Sequence, residues 1–218
     1  MGGPLPPNPG TGVFDPRYEW PAHPHRLLTP HVVFDTMVPC YLARANRVQM
    51  LREAFAGRAH MPNRVRGEIA GLSNGYGALQ GLLAPVPFGE VHRLTREQAQ
   101  RATDRQVAWH GRTVIENDPN KDRGEAEALS LCDDHVDWVI VSHDSNAISN
   151  ARIKHFPILA APDVLLVFAA QERCLATSAW KIYQTMLGLG MEPSRFWPDD
   201  AEGQGRFLSH AQELGCKV

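Results

Sequence analysis

The chain has 218 residues, 43% apolar and 21% charged, with a formal net charge of −2. That is long enough for one domain of ordinary size with a substantial core plus extensions, and the composition is that of a globular protein. Near-neutrality excludes global attraction to nucleic acid, which would need a local basic patch, and no apolar run of about 18 residues exists to span a membrane.

Residues 1–29 form a Pro-rich N-terminal extension. Pro4, Pro6, Pro7, Pro9, Pro16, Pro21 and Pro24, with Pro30 just beyond, block helices and sheet ladders. Its first residues lack the basic and apolar regions of a signal peptide. Cys40, Cys132, Cys174 and Cys216 are scattered without a Cys-x-x-Cys pair. Reduced thiols in a cytoplasmic protein are therefore expected, rather than a zinc or disulfide framework.

The domain, residues 30–190, opens with His31-Val-Val-Phe-Asp35, a short apolar run that reads as a buried parallel strand with a carboxylate at its C-terminal end. Apolar positions 41, 42, 45, 48, 51 and 55 predict one amphipathic helix over Tyr41–Phe55, stopped by Gly57. Arg58–Met61 is a second strand. Asn63–Ala70 is a helix that carries Glu68, and the Gly-rich run 71–77 breaks it. A short helix to Leu83 and a strand over Val91–Leu94 follow.

Thr95 with Gln98 three residues later is a capping-box signature for a polar helix to His110. After a loop over Glu116–Arg123 comes a helix over Glu125–Cys132, then a strand over Trp138–Ser142 that ends in Ser142, His143 and Asp144. Residues 146–155 read as a helix and Pro157–Ala161 as a strand. Pro162–Ala170 reads as a helix, because Pro suits its first turn and Asp163 the positive end of its dipole. Ser178–Leu187 is helical up to Gly188. Residues 191–218 read as a polar C-terminal tail adding little to the core. Strands alternating with helices give an α/β fold with a mostly parallel sheet.

Four acids share a position in this scheme. Asp35 and Asp144 end strands, while Glu68 and Glu125 lie near helix starts. In a parallel sheet these places fall along one edge, where ligands collect. Carboxylates crowded together repel unless a cation neutralises them, and hard oxygen ligands suit Mg²⁺ or Mn²⁺. Such a site can generate hydroxide for phosphodiester hydrolysis. Each acid also has a plainer reading. Asp35 could cap the following helix, Glu68 could be a solvated helix residue, Glu125 could close a capping box with Asp122, and Asp144 could cap the helix from Asn146. The ten histidines contain no His-x-x-x-His pair around a helical Glu. His143 could sit near a scissile phosphate or be a neutral surface residue. Tyr76 could stack on an unpaired base or pack in its loop.

The order of these motifs resembles the PIN domain family. Val32–Pro39, Leu51–Phe55 and Met61–Ile69 are similar to its opening strand ending in Asp-Ser/Thr, its first helix and its Pro-x-x-Val-x-x-Glu-Ile segment. Asp122–Leu129 resembles the Gly-Glu-Ala-Glu-Ala helix of one subgroup, and Val139–Ala147 the apolar strand ending in Thr/Ser-Asp-Asp. The resemblance covers about residues 30–190. It implies a three-layer α/β/α sandwich with a mostly parallel central sheet and a metal-dependent ribonuclease, including the toxin of a toxin–antitoxin pair. Asp35, Glu68, Glu125 and Asp144 would be both catalytic residues and ligands of Mg²⁺ or Mn²⁺, supported by Thr36, Ser142 and His143. His143 stands where the subgroup often has a second Asp, and a PIN-fold RNA-binding or scaffold protein with decayed catalysis is the alternative. Arg44, Arg47, Arg64 and Arg66 could face an RNA backbone, or be ordinary solvated residues. RNA, an antitoxin protein and a second copy of the chain are the implied partners, with no membrane.

Overall fold

The computed structural model describes residues 31–83, 88–135, 137–144, 158–193 and 197–218. The readings of residues 1–29 as an extended tail and 146–155 as a helix lie outside them. Five strands, β1 (Val32–Phe34), β2 (Ala59–Pro62), β3 (Glu90–His92), β4 (Val139–Val141) and β5 (Ile158–Leu159), form one sheet in the order β3-β2-β1-β4-β5, and every pair is parallel. The protein is therefore α/β, and its three-layer expectation is compatible with the helices that cross between strands.

The order of the strands matters for function. From β1 the chain steps outward to β2 and β3, then returns to place β4 and β5 on the other side of β1. The crossovers on the two sides of β1 leave in opposite directions, so a crevice opens beyond the C-terminal ends of β1 and β4. Hydrogen bonds from Asp35 N to Val141 O (3.0 Å) and from Ser142 N to Leu159 O (3.0 Å) carry the ladder to the rim of that crevice.

Helices α1 (Met37–Arg44) and α2 (Val48–Ala54) replace the single predicted helix. Asn46 sits between them in the left-handed region, with φ 62°, and breaks the helical ladder there. Helix α3 runs Asn63–Ser73, followed by a 3₁₀ turn at Gly77–Leu79 and α4 (Gln80–Leu83). The capping box forms as expected at the start of α5 (Arg96–His110): Gln98 N donates to Thr95 Oγ1 at 3.2 Å and Thr95 N to Gln98 Oε1 at 2.8 Å. Helix α6 (Arg112–Asn117) takes up the start of the predicted loop, and α7 (Arg123–Cys132) follows. Helix α8 (Ala161–Ala170) matches the helical reading, and Asp163 Oδ2 accepts from Ala160 N at 2.7 Å. Helix α9 spans Ala176–Gly188.

The C-terminal tail does not behave as the sequence led us to expect. Residues Ala201–Glu213 form helix α10, and Met191, Trp197, Phe207 and Ala211 are all buried. Phe207 packs 5.4 Å from the ring of Trp180 on α9, and Tyr183 Oη donates to Trp197 O at 2.8 Å. The polar, Gly-interrupted sequence hid an apolar stripe whose partner face lies on α9. No helix among the described residues is long and apolar enough to cross a membrane.

Candidate metal centre

Asp35 follows β1 directly and is almost wholly buried. Its Oδ1 accepts from Met37 N at 2.9 Å, so it does cap the start of α1, but its Oδ2 is buried with no hydrogen-bond partner among the described residues. Glu125, in the first turn of α7, is half-buried. Ser142 at the end of β4 donates from Oγ to its Oε1 at 3.2 Å, while Oε2 is buried with no hydrogen-bond partner among the described residues. The capping-box alternative for Glu125 does not form: Asp122 adopts a left-handed conformation (φ 50°) without a side-chain cap and meets His110 Nε2 at 2.7 Å.

Asp144 N donates to Ser142 Oγ at 3.1 Å, which folds the end of β4 back toward the same serine. Glu68 enters from α3. Thr36 Oγ1 donates to its Oε2, and Arg64 Nε donates to its Oε1 at 3.0 Å. A Cβ on Gly124 would stand 2.9 Å from Glu68 Oε2, so the bare backbone of Gly124 leaves room for that carboxylate beside Glu125. Thr36 is thus tied to Glu68 and Ser142 to Glu125.

The charges register this crowding. Burial, and then the repulsion of Asp144, raises Asp35 to about 7. Glu125 rises to about 10, first by burial, then through Asp35, Asp144 and Asp122. Burial followed by Asp35 and Glu68 pushes the Cys40 thiol to about 12, which places both acids near one buried sulfur. Two carboxyl groups with orphaned oxygens, pushed toward the protonated form first by burial and then by neighbouring acids, are what a cation would relieve. The donor set of hard oxygens fits Mg²⁺ or Mn²⁺. No three of these acids close up to ligand spacing, however: among the described residues, the one trio whose ligand atoms all fall within 4.8 Å is His60, Glu90 and His92.

His143 corrects an expectation. It is buried rather than a surface residue, its Nε2 meets Glu192 O at 2.7 Å, and its Nδ1 is buried without a hydrogen-bond partner among the described residues. Burial lowers its pKa, so it is a neutral ring that tethers the segment after α9 and supplies no acid to the strand end. The arginines divide. Arg64 pairs with Glu68, Arg66 is exposed, and Arg47 Nη1 donates to Asn46 O at 3.1 Å. Arg44 lies 5.1 Å from the ring centre of Tyr41 and 4.6 Å from that of Tyr76, and donates to Leu189 O at 2.9 Å. Tyr76 therefore packs on an arginine while remaining exposed. Glu127, two residues beyond Glu125, is paired with Arg123 at 2.7 Å.

Sequence reading passed over the His60–Glu90–His92 trio. The signal was there in part, since His60 and His92 sit in two short strand candidates, with Glu90 just ahead of the second in what read as a loop. Only the pairing of β2 with β3 brings them together.

No protein-family profile matches the chain, and no curated protein matches its sequence.

Proposed function

We propose that the protein is a Mg²⁺- or Mn²⁺-dependent endoribonuclease of the PIN type, with a PIN-like three-layer fold. The observation that carries the reading is the pair Asp35 and Glu125, each with one buried carboxylate oxygen that finds no hydrogen-bond partner among the described residues, at the crevice beyond β1 and β4. A divalent ion held there by Asp35, Glu125 and Asp144, with Glu68 beside them, would supply an activated water and neutralise charge on the scissile phosphate. The chain's own residues do the positioning. Met37 N fixes one oxygen of Asp35 and leaves the other aimed inward, Ser142 orients Glu125, and Thr36 with Arg64 holds Glu68 at the rim. Tyr76 and Arg44 offer an exposed ring and a cation beside it, suited to an unpaired base and its phosphate.

The order of motifs along residues 30–190 supports RNA as the substrate, and a toxin silenced by an antitoxin rests on that resemblance alone. The test is cleavage of RNA by the purified chain with Mg²⁺ or Mn²⁺. The wild type should cut and Asp35→Asn should not, at matched folding stability; equal behaviour of the two would overturn the reading.

One observation favours a second reading, a PIN-fold RNA-binding or scaffold protein without catalysis. His143 is turned to Glu192 O, so the end of β4 offers Asp144 as its one acid. Calorimetric titration with Mn²⁺ separates the two: a folded protein that takes up no Mn²⁺ but retains RNA supports the second.

A further inference from the structure

We propose a second metal site, chemically unlike the acidic one: a Zn²⁺ site formed by His60, Glu90 and His92 on strands β2 and β3.

Parallel register places His60 beside Glu90 and Pro62 beside His92. With side chains alternating along each strand, His60, Glu90 and His92 project from the same face. One ligand atom from each lies within 4.8 Å of the others. His60 Nδ1 is 2.9 Å from His92 Nε2 and 3.6 Å from Glu90 Oε2. Ligands about 2.0–2.1 Å from a tetrahedral Zn²⁺ stand about 3.3–3.4 Å apart. The two separations bracket that edge length, and the third edge, between His92 and Glu90, lies within 4.8 Å.

The outer partners fit as well. His31 Nδ1 lies 2.7 Å from His60 Nε2, so His60 can give its Nε2 proton to His31 and keep its Nδ1 lone pair for a metal. A second imidazole or carboxylate that fixes a ligand's tautomer in this way is the usual support for a metal-bound histidine. Trp138 stacks on His60, with ring centres 4.0 Å apart and planes at 13°, and locks the ring's orientation. In the absence of metal, the 2.9 Å contact between His60 Nδ1 and His92 Nε2 holds one proton, which His92 would carry on Nδ1 instead once its Nε2 bound a metal.

Access is open on one side. His60 is buried, His92 half-buried and Glu90 exposed, and a hollow of about 310 Å³ bordered by His60, Gly89 and Glu90 lies alongside. Two imidazoles and one carboxylate favour Zn²⁺ over the hard Mg²⁺ or Mn²⁺ suited to the acids. The three ligands leave a fourth position for water. The site would clamp the three-residue strand β3, outermost of the described sheet, to β2 and through His31 to the start of β1.

The test uses the full chain, dialysed against chelator and then titrated with Co²⁺, a coloured stand-in for Zn²⁺, with Zn²⁺ added in competition. One equivalent of Co²⁺ should give visible absorption that Zn²⁺ abolishes. The signal should persist in Asp35→Asn, so the result does not depend on the acidic site. Glu90→Gln and His92→Gln, at positions exposed or half-buried, should weaken binding more than the about 10–100-fold expected of the supporting variant His31→Gln. The proposal is overturned by absence of a bound equivalent, by binding that survives both ligand substitutions, or by binding lost in Asp35→Asn instead. Circular dichroism of each variant confirms folding, and if His92→Gln fails to fold, Glu90→Gln alone decides.

Discussion

Glu125→Gln should make the metal-free protein more stable at neutral pH while destroying its proposed function. Glu125 is raised from 4.5 to about 10, chiefly by burial and then by Asp35 and Asp144. An acid whose folded-state pKa lies above its unfolded value keeps a proton that the unfolded chain has released. Stability is therefore highest below the unfolded value and falls as pH rises toward the folded one. From pH 5 to pH 7.5 lies wholly inside that window, and one such group costs about 1.4 kcal/mol per pH unit, or roughly 3 kcal/mol across it. Gln has the same shape and no proton to lose, so that part of the slope should vanish. The assay is urea denaturation in chelator at the two pH values. Wild type should lose roughly 3 kcal/mol more than Glu125→Gln between them, with Asp35, raised to about 7, adding a shallower slope common to both. Adding Mn²⁺ at about 100 times its Kd should return about 2.7 kcal/mol to the wild type and much less to the variant. Parallel pH profiles for the two proteins would refute the claim that burial and neighbouring acids hold Glu125 protonated.

The other predictions concern packing and placement. Phe207→Ala should cost about 3–5 kcal/mol in chemical denaturation, because the ring is fully buried against Trp180; a loss under 1 kcal/mol would return the C-terminal segment to the status of a tail. Thr95→Ala should cost about 1 kcal/mol by removing the cap on Gln98 N, measured by the same method. Gly124→Ala should gain up to about 1 kcal/mol of helix propensity and offset it against Val65, while its Cβ, 2.9 Å from Glu68 Oε2, displaces that carboxylate. RNA cleavage should therefore fall with little change in the unfolding midpoint; retained activity would remove Glu68 from the site.

Local sequence carried the elements whose signals are local. The apolar run before Asp35, the Thr95–Gln98 box and Pro162 with Asp163 each act within a few residues, and each appears where it was expected. The predicted long first helix failed at Asn46, because a residue that tolerates the left-handed region can break a helix without disturbing the apolar period. The C-terminal helix escaped because its stripe of Phe207 and Ala211 is apolar only in relation to the α9 face it covers.

By itself the sequence determined an alternating α/β chain and four acids at strand ends and helix starts. It did so because strand polarity fixes where a terminal carboxylate emerges. Only the tertiary structure decided how those acids meet. Ser142 binds Glu125, Thr36 binds Glu68, His143 turns away to Glu192, and burial pushes Asp35 and Glu125 toward their protonated forms. The histidine trio belongs wholly to that second category, since its members lie on different strands and only the β2–β3 register brings their nitrogens and carboxylate together. Desolvation and pairing across the sheet are properties of contacts between distant residues, and no local pattern encodes them.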